Sequence, residues 1–328
     1  MKAIVCTKYG SPDLLQFKEV EKPIPMEDEI LLKVYASSVN PQDWRLMRAD
    51  PFMIRLMAGL SKPKNKMLGG DVAGRIEAAG ENVKQFQPGD EVFGEIFASG
   101  GGAFAEYVSV PENAALLLKP ANLTFDEAAA VPLAAFAALQ ALRDIGKIQP
   151  GQEVLINGAS GGVGTFAVQI AKSFGAVVTG VCSTRNVDLV RSIGADKVID
   201  YAKENFAQNE HRYDLIIDNV GNPSIYKHLY RHSLTPTGIC VIVAGSFFLK
   251  LFLGPWMSMT GRNEIGTFMT IPNQKDLISI KELLESAKVV PVIDNRFPLS
   301  ETAEAIRYLE KGHARGKVII TVAQENRQ

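Results

Sequence analysis

The sequence feature that most constrains the fold is a glycine-rich turn between a short apolar segment and an apolar-faced helix, in residues 154–171, VLINGASGGVGTFAVQIA. In the pattern G-x-G-x-x-G, the three glycine positions fall on Ala159, Gly161 and Gly164, so alanine replaces the first glycine. Gly161 and Gly162 lack a Cβ, which lets a pyrophosphate approach the backbone, and Gly164 lets the helix pack closely on the strand. Because a helix N-terminus also offers N–H groups to phosphates, the segment predicts a dinucleotide-binding turn.

The segments around this turn predict a doubly wound parallel sheet, and hence an α/β fold. Near-continuous apolar strands with short connections are typical of a parallel sheet that is covered on both faces. Six such strands fit a dinucleotide-binding domain. The predicted strands are 154–157, 177–182, 198–200, 215–218, 239–243 and 265–269. The predicted helices are 162–174, 187–193, 223–234 and 274–287.

The first ~120 residues have a different character, which predicts a small β-rich barrel or sandwich. Gly and Pro clusters separate short runs of β-branched and aromatic residues. The predicted strands are 30–37, 72–79, 91–97 and 103–110. Thr124, with Glu127 three residues later, predicts a capping box at the start of a helix that Pro132 would kink.

The last residues return to the β-rich character. Strands are predicted over 292–297 and 317–322, with a helix over 301–311 between them, and this tail is expected to pack on the N-terminal domain. The predicted domains are therefore a substrate domain over 1–122, a nucleotide-binding domain over 123–294, and a C-terminal return over 295–328.

Charge and cysteine content exclude several classes of protein. The chain has 35 basic and 36 acidic residues, and a net charge of −1 argues against nucleic acid or an anionic membrane as the main partner. The cysteines, Cys6, Cys182 and Cys240, form no C-x-x-C pair, which argues against a disulfide framework. Apolar runs are too short for a membrane span or a signal peptide, so a cytoplasmic location is expected.

The end of the second strand of the parallel sheet bears on the choice of cofactor. Sites for NAD usually place an acidic residue there, but this chain has Ser183, Thr184 and Arg185, with no acid until Asp188. A guanidinium and hydroxyls would bind a 2′-phosphate, which predicts NADPH. In the alternative, Ser183 or Thr184 caps a helix and Arg185 is a solvated residue of its first turn.

Several segments together resemble the medium-chain dehydrogenase/reductase superfamily over nearly the whole chain, and most closely its zinc-free quinone oxidoreductase branch. They are 38–44 (SVNPQDW), 69–74 (GGDVAG), 87–92 (QPGDEV), 101–107 (GGAFAEY), 159–164 (ASGGVG) and 312–317 (GHARGK). The resemblance implies a GroES-like substrate domain, a Rossmann nucleotide-binding domain, a C-terminal return to the first domain, and a homodimer.

The chain departs from the zinc enzymes of this superfamily at the ligand positions. Those enzymes carry G-H-E-x-x-G, whose histidine binds catalytic zinc, whereas Gly70 stands at that place here. Asn40 lies where a cysteine ligand is expected, and the four-cysteine structural site is absent as well. Since catalytic zinc needs about three protein ligands, no metal is predicted.

The absence of zinc ligands limits which carbonyl compounds this protein is expected to reduce. A nicotinamide donates hydride, and an unactivated ketone accepts it poorly unless a metal polarises it. Quinones and α,β-unsaturated carbonyls are already electron-poor, and hydrogen-bond donors stabilise the negative charge on their conjugated oxygen. We therefore predict an NADPH-dependent quinone or enone reductase that binds a small-molecule substrate. The alternatives are an NADPH-binding structural or regulatory protein with little turnover, and an alcohol dehydrogenase with an unusual metal site.

The candidate site residues come from the resemblance and from strand ends. Asn40 resembles the residue beside the nicotinamide, and Asp43 and Trp44 are further catalytic candidates, although Asp43 equally suits a cap and Trp44 the core. Asn219, Gly245 and Ser246 follow the fourth and fifth strands, where ligands collect. The predicted cofactor-binding residues are Ser160, Gly161, Gly162, Val163, Ser183, Thr184, Arg185, Tyr201, Asn219, Gly245, Ser246, Arg315 and Lys317.

Two of these assignments carry alternatives. Arg315 and Lys317 resemble a C-terminal basic pair near the cofactor, but they equally suit exposed charges on a turn. Tyr201 resembles a family position near the adenosine phosphate. The apolar residues 246–259 are interpreted as a lid or substrate wall, with a subunit contact or ordinary core as alternatives.

Overall fold

The N-terminal part of the chain is β-rich, as its short β-branched runs predict. A computed structural model of the chain describes residues 1–204, 211–221, 232–243 and 264–323. The first strands are β1 (Lys2–Cys6), β2 (Leu15–Glu19), β3 (Glu29–Val39), β4 (Asp71–Ala79), β5 (Glu91–Glu95), β6 (Tyr107–Pro111) and β7 (Ala115–Leu118). β1 pairs with β2, while β3 pairs antiparallel with both β4 and β6. The long strand β3 is therefore a central element of this sheet.

The described residues of this part contain four α-helices, of which the sequence analysis predicted only the helical region after Thr124. They are α1 (Pro41–Arg48), α2 (Ile54–Ala58), α3 (Phe125–Ala129) and α4 (Pro132–Gln140). The predicted capping box is confirmed, since the Thr124 N–H donates to Glu127 Oε2 at 2.8 Å and the Glu127 N–H donates back to Thr124 Oγ1 at 3.3 Å. Pro132 begins a new helix instead of kinking one, because proline lacks an N–H and disfavours a helical residue before it.

The six predicted strands of the nucleotide-binding part form one parallel sheet. They are β8 (Glu153–Asn157), β9 (Val177–Cys182), β10 (Lys197–Asp200), β11 (Tyr213–Asp218), β12 (Leu234–Ile242) and β13 (Glu264–Thr267), in the order β10-β9-β8-β11-β12-β13. The order reverses at β8, and such a reversal is where ligands bind in doubly wound sheets. The helices α5 (Gly162–Ser173) and α6 (Val187–Ser192) follow β8 and β9. Most of the helix predicted over 223–234 lies outside the described residues.

The C-terminal elements include the predicted helix and two strands. They are α7 (Gln274–Glu285), β14 (Ile293–Pro298), α8 (Thr302–Glu310) and β15 (Lys317–Thr321). β15 pairs parallel with β14 and antiparallel with β3, with Val318 opposite Val39. The tail therefore extends the sheet of the N-terminal part.

The chain divides into two compact units. The first contains residues 1–133, 272–285 and 291–328, and the second contains residues 134–271 and 286–290. Gln274 of α7 donates to the Ala114 carbonyl at 3.1 Å, which ties this helix to the first unit. The boundaries predicted after residues 122 and 294 stay predictions.

Each unit has its own apolar core. Ile30, Leu32 and Val72 are fully buried in the first unit, and Leu155 and Ile216 are fully buried in the second. All three cysteines are buried and unpaired, as expected of small core residues. None of the described helices is long and apolar enough to cross a membrane.

Candidate functional site

The glycine-rich turn after β8 has the geometry that a phosphate-binding turn needs. Gly158 has a φ of +74°, in the left-handed region that favours glycine, so it performs the tight turn that the pattern assigns to position 159. A Cβ on Gly164 would lie 2.1 Å from the Gly158 carbonyl oxygen. A side chain at Gly164 would therefore push α5 away from the turn.

The N-terminus of α5 can receive an anion. Gly161 is its N-cap, has extended backbone geometry, and no side chain caps the helix. A Cβ at Gly161 would approach one atom only, the Gly158 carbonyl oxygen at 3.5 Å, so the space beside it is open. The first N–H groups of a helix have no intrahelical acceptor, and Gly162 and Val163 form this first turn. An open backbone face at the positive end of a helix fits a pyrophosphate.

Ser160 of this turn is held by a residue that the sequence analysis missed. Asn186 Nδ2 donates to Ser160 Oγ at 2.9 Å, and both side chains are buried. The Asn186 Oδ1 atom is buried and has no hydrogen-bond partner among the described residues. Its position next to the Ser183–Arg185 segment was the one signal in the sequence, but nothing there shows that the amide turns back to Ser160.

The loop after β9 carries the residues predicted to bind the 2′-phosphate. Ser183 is half-buried, and Thr184 and Arg185 are exposed. Ser183 takes the N-cap position of the short turn Thr184–Asn186, but its side chain makes no capping hydrogen bond. Ser183 therefore occupies the N-cap position, as the alternative interpretation predicts, but its side chain does not cap the turn.

Asp200, a second residue that the sequence analysis missed, brings a carboxylate to this loop. It ends β10, lies opposite Cys182 of β9, and is buried. The Thr184 hydroxyl, followed by the Ala202 N–H, holds the pKa of Asp200 below its ordinary value. The acid near this loop thus comes from the third strand, and its Oδ1 accepts from the Ala202 N–H at 3.0 Å.

Tyr201 lies at the same end of the sheet. Its side chain is 61% exposed, and its N–H donates to the Cys182 carbonyl at 3.1 Å. An exposed ring beside the loop after β9 is available to a ligand. Gly245, Ser246 and the apolar residues 246–259 lie outside the described residues.

Asn219 stands where the strand order reverses. Its N–H and Nδ2 both donate to the Asn157 carbonyl, at 3.1 and 3.2 Å, which ties the end of β11 to the end of β8. Its Oδ1 is buried and has no hydrogen-bond partner among the described residues. A buried acceptor without a donor costs about 1–3 kcal/mol, which a ligand N–H or O–H would recover. Together with the turn and the helix end, this orphan oxygen fits a bound dinucleotide.

The first unit holds a buried polar network around Asp71, the first residue of β4. Asp71 Oδ2 accepts from Ser38 Oγ at 2.6 Å, from Asn40 Nδ2 at 2.8 Å and from Lys317 Nζ at 3.2 Å. Asp71 Oδ1 accepts from the Leu133 N–H at 2.8 Å. This fully buried carboxylate is therefore satisfied on both oxygens.

Lys317 fixes the orientation of Asn40. The lysine is 3% exposed, and its Nζ donates to Asn40 Oδ1 at 2.5 Å. Since Asn40 Nδ2 donates to Asp71, both ends of the amide are engaged inside the unit. Arg315 is exposed, and its N–H donates to Asp294 at 3.0 Å, so Arg315 and Lys317 face different surroundings. A role of either residue toward the cofactor stays a prediction.

Asp43 and Trp44 take the positions named as alternatives in the sequence analysis. Asp43 Oδ2 accepts from the Asn40 N–H at 2.7 Å, which caps α1, and its Oδ1 accepts from the Gly69 N–H at 3.2 Å. Burial raises the pKa of Asp43 to about 7. Trp44 is half-buried against the apolar core. Their catalytic roles stay predictions.

Glu95, which the sequence analysis missed, fills the space beside Gly70. Its Oε1 accepts from the Phe97 N–H at 3.1 Å and from Gln42 Nε2 at 3.3 Å, while its buried Oε2 has no partner among the described residues. Burial, followed by the negative charge of Asp71, raises the pKa of Glu95 to about 8. A Cβ on Gly70 would lie 2.4 Å from Glu95 Oε1. A side chain at position 70 would therefore displace the ends of the Glu95 and Gln42 side chains.

Comparisons with known proteins match both parts of the chain. Residues 26–121 match the family described as "Alcohol dehydrogenase GroES-like domain", and residues 193–320 match the family described as "Zinc-binding dehydrogenase". The Bos taurus "NAD(P)H oxidoreductase RTN4IP1, mitochondrial" is 36% identical, over 98% of this chain and 89% of its own. The Solanum lycopersicum "2-methylene-furan-3-one reductase" is 36% identical, over 98% of this chain and 79% of its own. The solved quinone oxidoreductase from Coxiella burnetii has a TM-score of 0.87 and 29% identity, and covers 98% of this chain and 99% of that one.

One of these family descriptions names zinc, and the residues present do not fit a catalytic zinc ion. Gly70 offers no ligand atom, and the Asn40 amide is engaged by Lys317 and Asp71. A buried ammonium at this point would also repel a dication. Among the described residues, no group of three His, Cys, Asp or Glu side chains could hold a metal ion.

Two glycine substitutions separate the structural role of the turn from ligand binding. We expect Gly164→Ala to lower the free energy of unfolding by about 1–3 kcal/mol or more, because its Cβ meets backbone. We expect Gly161→Ala to lower it by less than about 1 kcal/mol but to weaken NADPH binding, since the methyl group enters the open phosphate face. Urea unfolding and fluorescence titration with NADPH measure the two effects. Equal stability losses in both variants would contradict this assignment.

Removal of the buried ammonium should destabilise the first unit. We expect Lys317→Met to lower the free energy of unfolding by about 3–5 kcal/mol, because Asp71 is left as an uncompensated buried charge. The double variant Lys317→Met/Asp71→Asn should recover part of this loss, whereas Lys311→Met, at an exposed position, should lose little. Urea unfolding followed by circular dichroism measures all three, and a double variant no more stable than the single one would refute the charge account.

Glu95 should give stability a pH dependence. Its pKa of about 8 lies above the ordinary value of 4.5, so the folded state retains a proton that the unfolded chain releases. The stability that Glu95 contributes is thus complete below about pH 4.5 and is lost as the pH rises through about 8. We expect Glu95→Gln to gain stability relative to the wild type by about 1.4 kcal/mol per pH unit between these limits. Unfolding curves across this range measure how the free energy of unfolding changes with pH. This slope should differ from that of the wild type in Glu95→Gln, but not in the control Glu21→Gln, at an exposed position.

Proposed function

This chain belongs to the medium-chain dehydrogenase/reductase superfamily, in its quinone oxidoreductase branch, and on that premise we propose that it is an NADPH-dependent reductase of quinones or α,β-unsaturated carbonyls. The observation that carries the proposal is the replacement of a zinc site by a buried polar network. Asn40 is held by a lysine and an aspartate, and Glu95 fills the space at Gly70. The substrate carbonyl therefore has no metal to polarise it.

The chemistry follows from this arrangement. Bound NADPH supplies a hydride for transfer to an electrophilic carbon. Conjugated acceptors need the least activation, because the charge that develops on their oxygen is delocalised and is stabilised by hydrogen-bond donors. The glycine turn and the N-terminus of α5 would hold the pyrophosphate, and Asn219 Oδ1 would accept a hydrogen bond from the cofactor at the strand reversal. Solvent or a nearby side chain supplies the final proton.

The names of the relatives support both acceptor classes. One is named a reductase of a methylene-furanone, which is an enone, and one solved structure is named a quinone oxidoreductase. Hydride addition to either acceptor gives a delocalised oxyanion, so a single site can serve both. The proposal therefore keeps the two classes together.

Steady-state oxidation of NADPH tests this function directly. We expect turnover with small 1,4-quinones and 2-alkenals, little turnover with the matching saturated aldehydes, and no change after dialysis against a chelator. Rapid oxidation of aliphatic alcohols that a chelator abolishes would refute the proposal. NADPH binding without reduction of any acceptor would favour a structural or regulatory protein instead.

The preference for NADPH over NADH is proposed from Ser183, Thr184 and Arg185, since hydroxyls and a guanidinium bind a 2′-phosphate. A charge-assisted contact to the 2′-phosphate contributes about 1.5–3 kcal/mol. We therefore expect Arg185→Ala to raise the KM for NADPH about tenfold or more and to leave the KM for NADH nearly unchanged. Arg191→Ala, at an exposed arginine of the following helix, is the matched control. A lower KM for NADH in the wild type would count against the preference.

A homodimer is proposed from the resemblance alone. A cytoplasmic location also stays a proposal.

A further inference from the structure

The first unit exposes a cluster of apolar side chains on one ordered segment, residues 51–67, which is named here the basic–apolar loop. The side chains are 69%, 45%, 62% and 67% exposed at Phe52, Met53, Leu56 and Leu60, respectively. Single exposed apolar residues are common on protein surfaces, whereas a cluster marks an interaction site. The exposed apolar side chains of this loop are therefore a candidate interaction surface.

The backbone holds these side chains in place. The Gly59 N–H donates to the Arg55 carbonyl at 2.9 Å, and the Lys64 N–H donates to the Ala58 carbonyl at 2.7 Å. The Tyr9 hydroxyl donates to the Gly59 carbonyl at 2.7 Å. The loop is thus fixed to the chain near β1, and its apolar groups are presented to solvent on a hydrogen-bonded frame.

Of the four exposed apolar residues, Leu56 lies in the short helix α2, Met53 is its N-cap, and Phe52 directly precedes Met53. Phe52 and Leu56 are four residues apart, and Met53 and Leu56 are three apart, which are the spacings of neighbours on a helix surface. Arg55 lies between them in sequence, and its guanidinium is 5.0 Å from the ring centroids of both Phe52 and Tyr9. The surface that results is apolar with a basic edge.

The charge of the loop has one sign. Residues 51–67 contain four basic residues and no carboxylate, although the whole chain has a net charge of −1. Lys62, Lys64 and Lys66 are exposed, and none of them forms an ion pair with any residue that the structure describes. A Cβ on Gly59 would lie 2.3 Å from the Lys62 carbonyl oxygen and 3.3 Å from Lys64 Cγ. Lys62 and Lys64 therefore lie against the end of α2.

We propose that the basic–apolar loop docks this protein on the surface of an anionic lipid bilayer. Aromatic and aliphatic side chains enter the boundary between headgroups and acyl chains, while neighbouring ammonium groups bind lipid phosphates. The net charge of −1 argued against an anionic membrane as a partner, because a sum over the whole chain does not reveal the local excess of positive charge on this loop. Acceptors dissolved in a membrane would then be close at hand, a consequence that rests on the proposed function, whereas the docking itself does not.

A second copy of the chain is a poorer occupant of this surface. A two-fold contact places the same patch on both sides, so it would bring three lysines from each copy into one interface without a carboxylate from this loop. An anionic bilayer neutralises them instead. Charge complementarity thus favours the lipid surface.

Flotation with lipid vesicles tests the proposal on the full chain. Vesicles of phosphatidylcholine with about 30 mol% phosphatidylglycerol are compared with vesicles of phosphatidylcholine alone, at about 0.05 M and 0.5 M salt. We expect binding to the anionic vesicles at low salt, weaker binding at high salt, and little binding to the neutral vesicles. Absence of binding to the anionic vesicles at low salt would overturn the proposal. No nicotinamide or acceptor is present, so the result is independent of reductase activity.

Matched variants identify the surface. Each lysine near an anionic surface contributes about fivefold to partitioning, so Lys62→Gln/Lys64→Gln/Lys66→Gln should lose at least about tenfold. Phe52→Ser/Leu56→Ser should also lose at least about tenfold, since apolar burial is removed. The controls are exposed residues elsewhere, Lys18→Gln/Lys197→Gln/Lys288→Gln and Ile24→Ser/Met26→Ser, and circular dichroism checks that each variant is folded.

The outcomes separate the candidate partners. Loss of vesicle binding in both loop variants, with both controls unchanged, supports docking through this loop. Equal loss in the lysine controls would show a general charge effect and would overturn the assignment. Sedimentation that shows Phe52→Ser/Leu56→Ser dissociating an oligomer, without any vesicle binding by the wild type, would replace the bilayer with a second copy of the chain.

Discussion

The buried ion pair between Lys317 and Asp71 is the contact on which the polar interior of the β-rich unit depends. An ammonium and a carboxylate taken out of water are each costly, and each is tolerated here because the other lies 3.2 Å away. Lys317 begins β15 and Asp71 begins β4, and both bind Asn40, which precedes α1. The ion pair and its hydrogen bonds to Asn40 therefore hold together β15, β4 and the start of α1, which are distant in the chain.

Burial without an ammonium partner among the described residues accounts for the raised pKa values of the other buried acids. Besides Asp71, the unit buries the carboxyl groups of Asp43 and Glu95. Asp71 has the ammonium as its partner, while burial raises the pKa of Asp43 to about 7 and that of Glu95 to about 8. The raised pKa values of these two groups favour protonation, which lowers the negative charge buried in this unit.

The nucleotide-binding unit shows which parts of a site a local pattern can reveal. Its six strands and the glycine turn were predictable because hydrophobic periodicity and glycine spacing act over a few residues. Asn186 and Asp200 were not, because their roles arise from neighbours in space. Asn186 is 26 residues from Ser160, and Asp200 approaches Thr184 from the adjacent strand. The exposed apolar cluster at Phe52 and Leu56 likewise required coordinates, since its sequence reads equally well as core.

The sequence by itself determined the six strands of the parallel sheet, the glycine turn, the capping box at Thr124 and the missing zinc ligands, because each depends on residues that are near one another in the chain. The tertiary structure alone decided which charges are buried together. Lys317 lies 246 residues from Asp71, and no local pattern records that its ammonium turns inward to Asn40 while Arg315, two residues earlier, remains exposed. The physical reason is that burial and pairing of charge are set by packing between distant segments, which periodicity and composition do not encode.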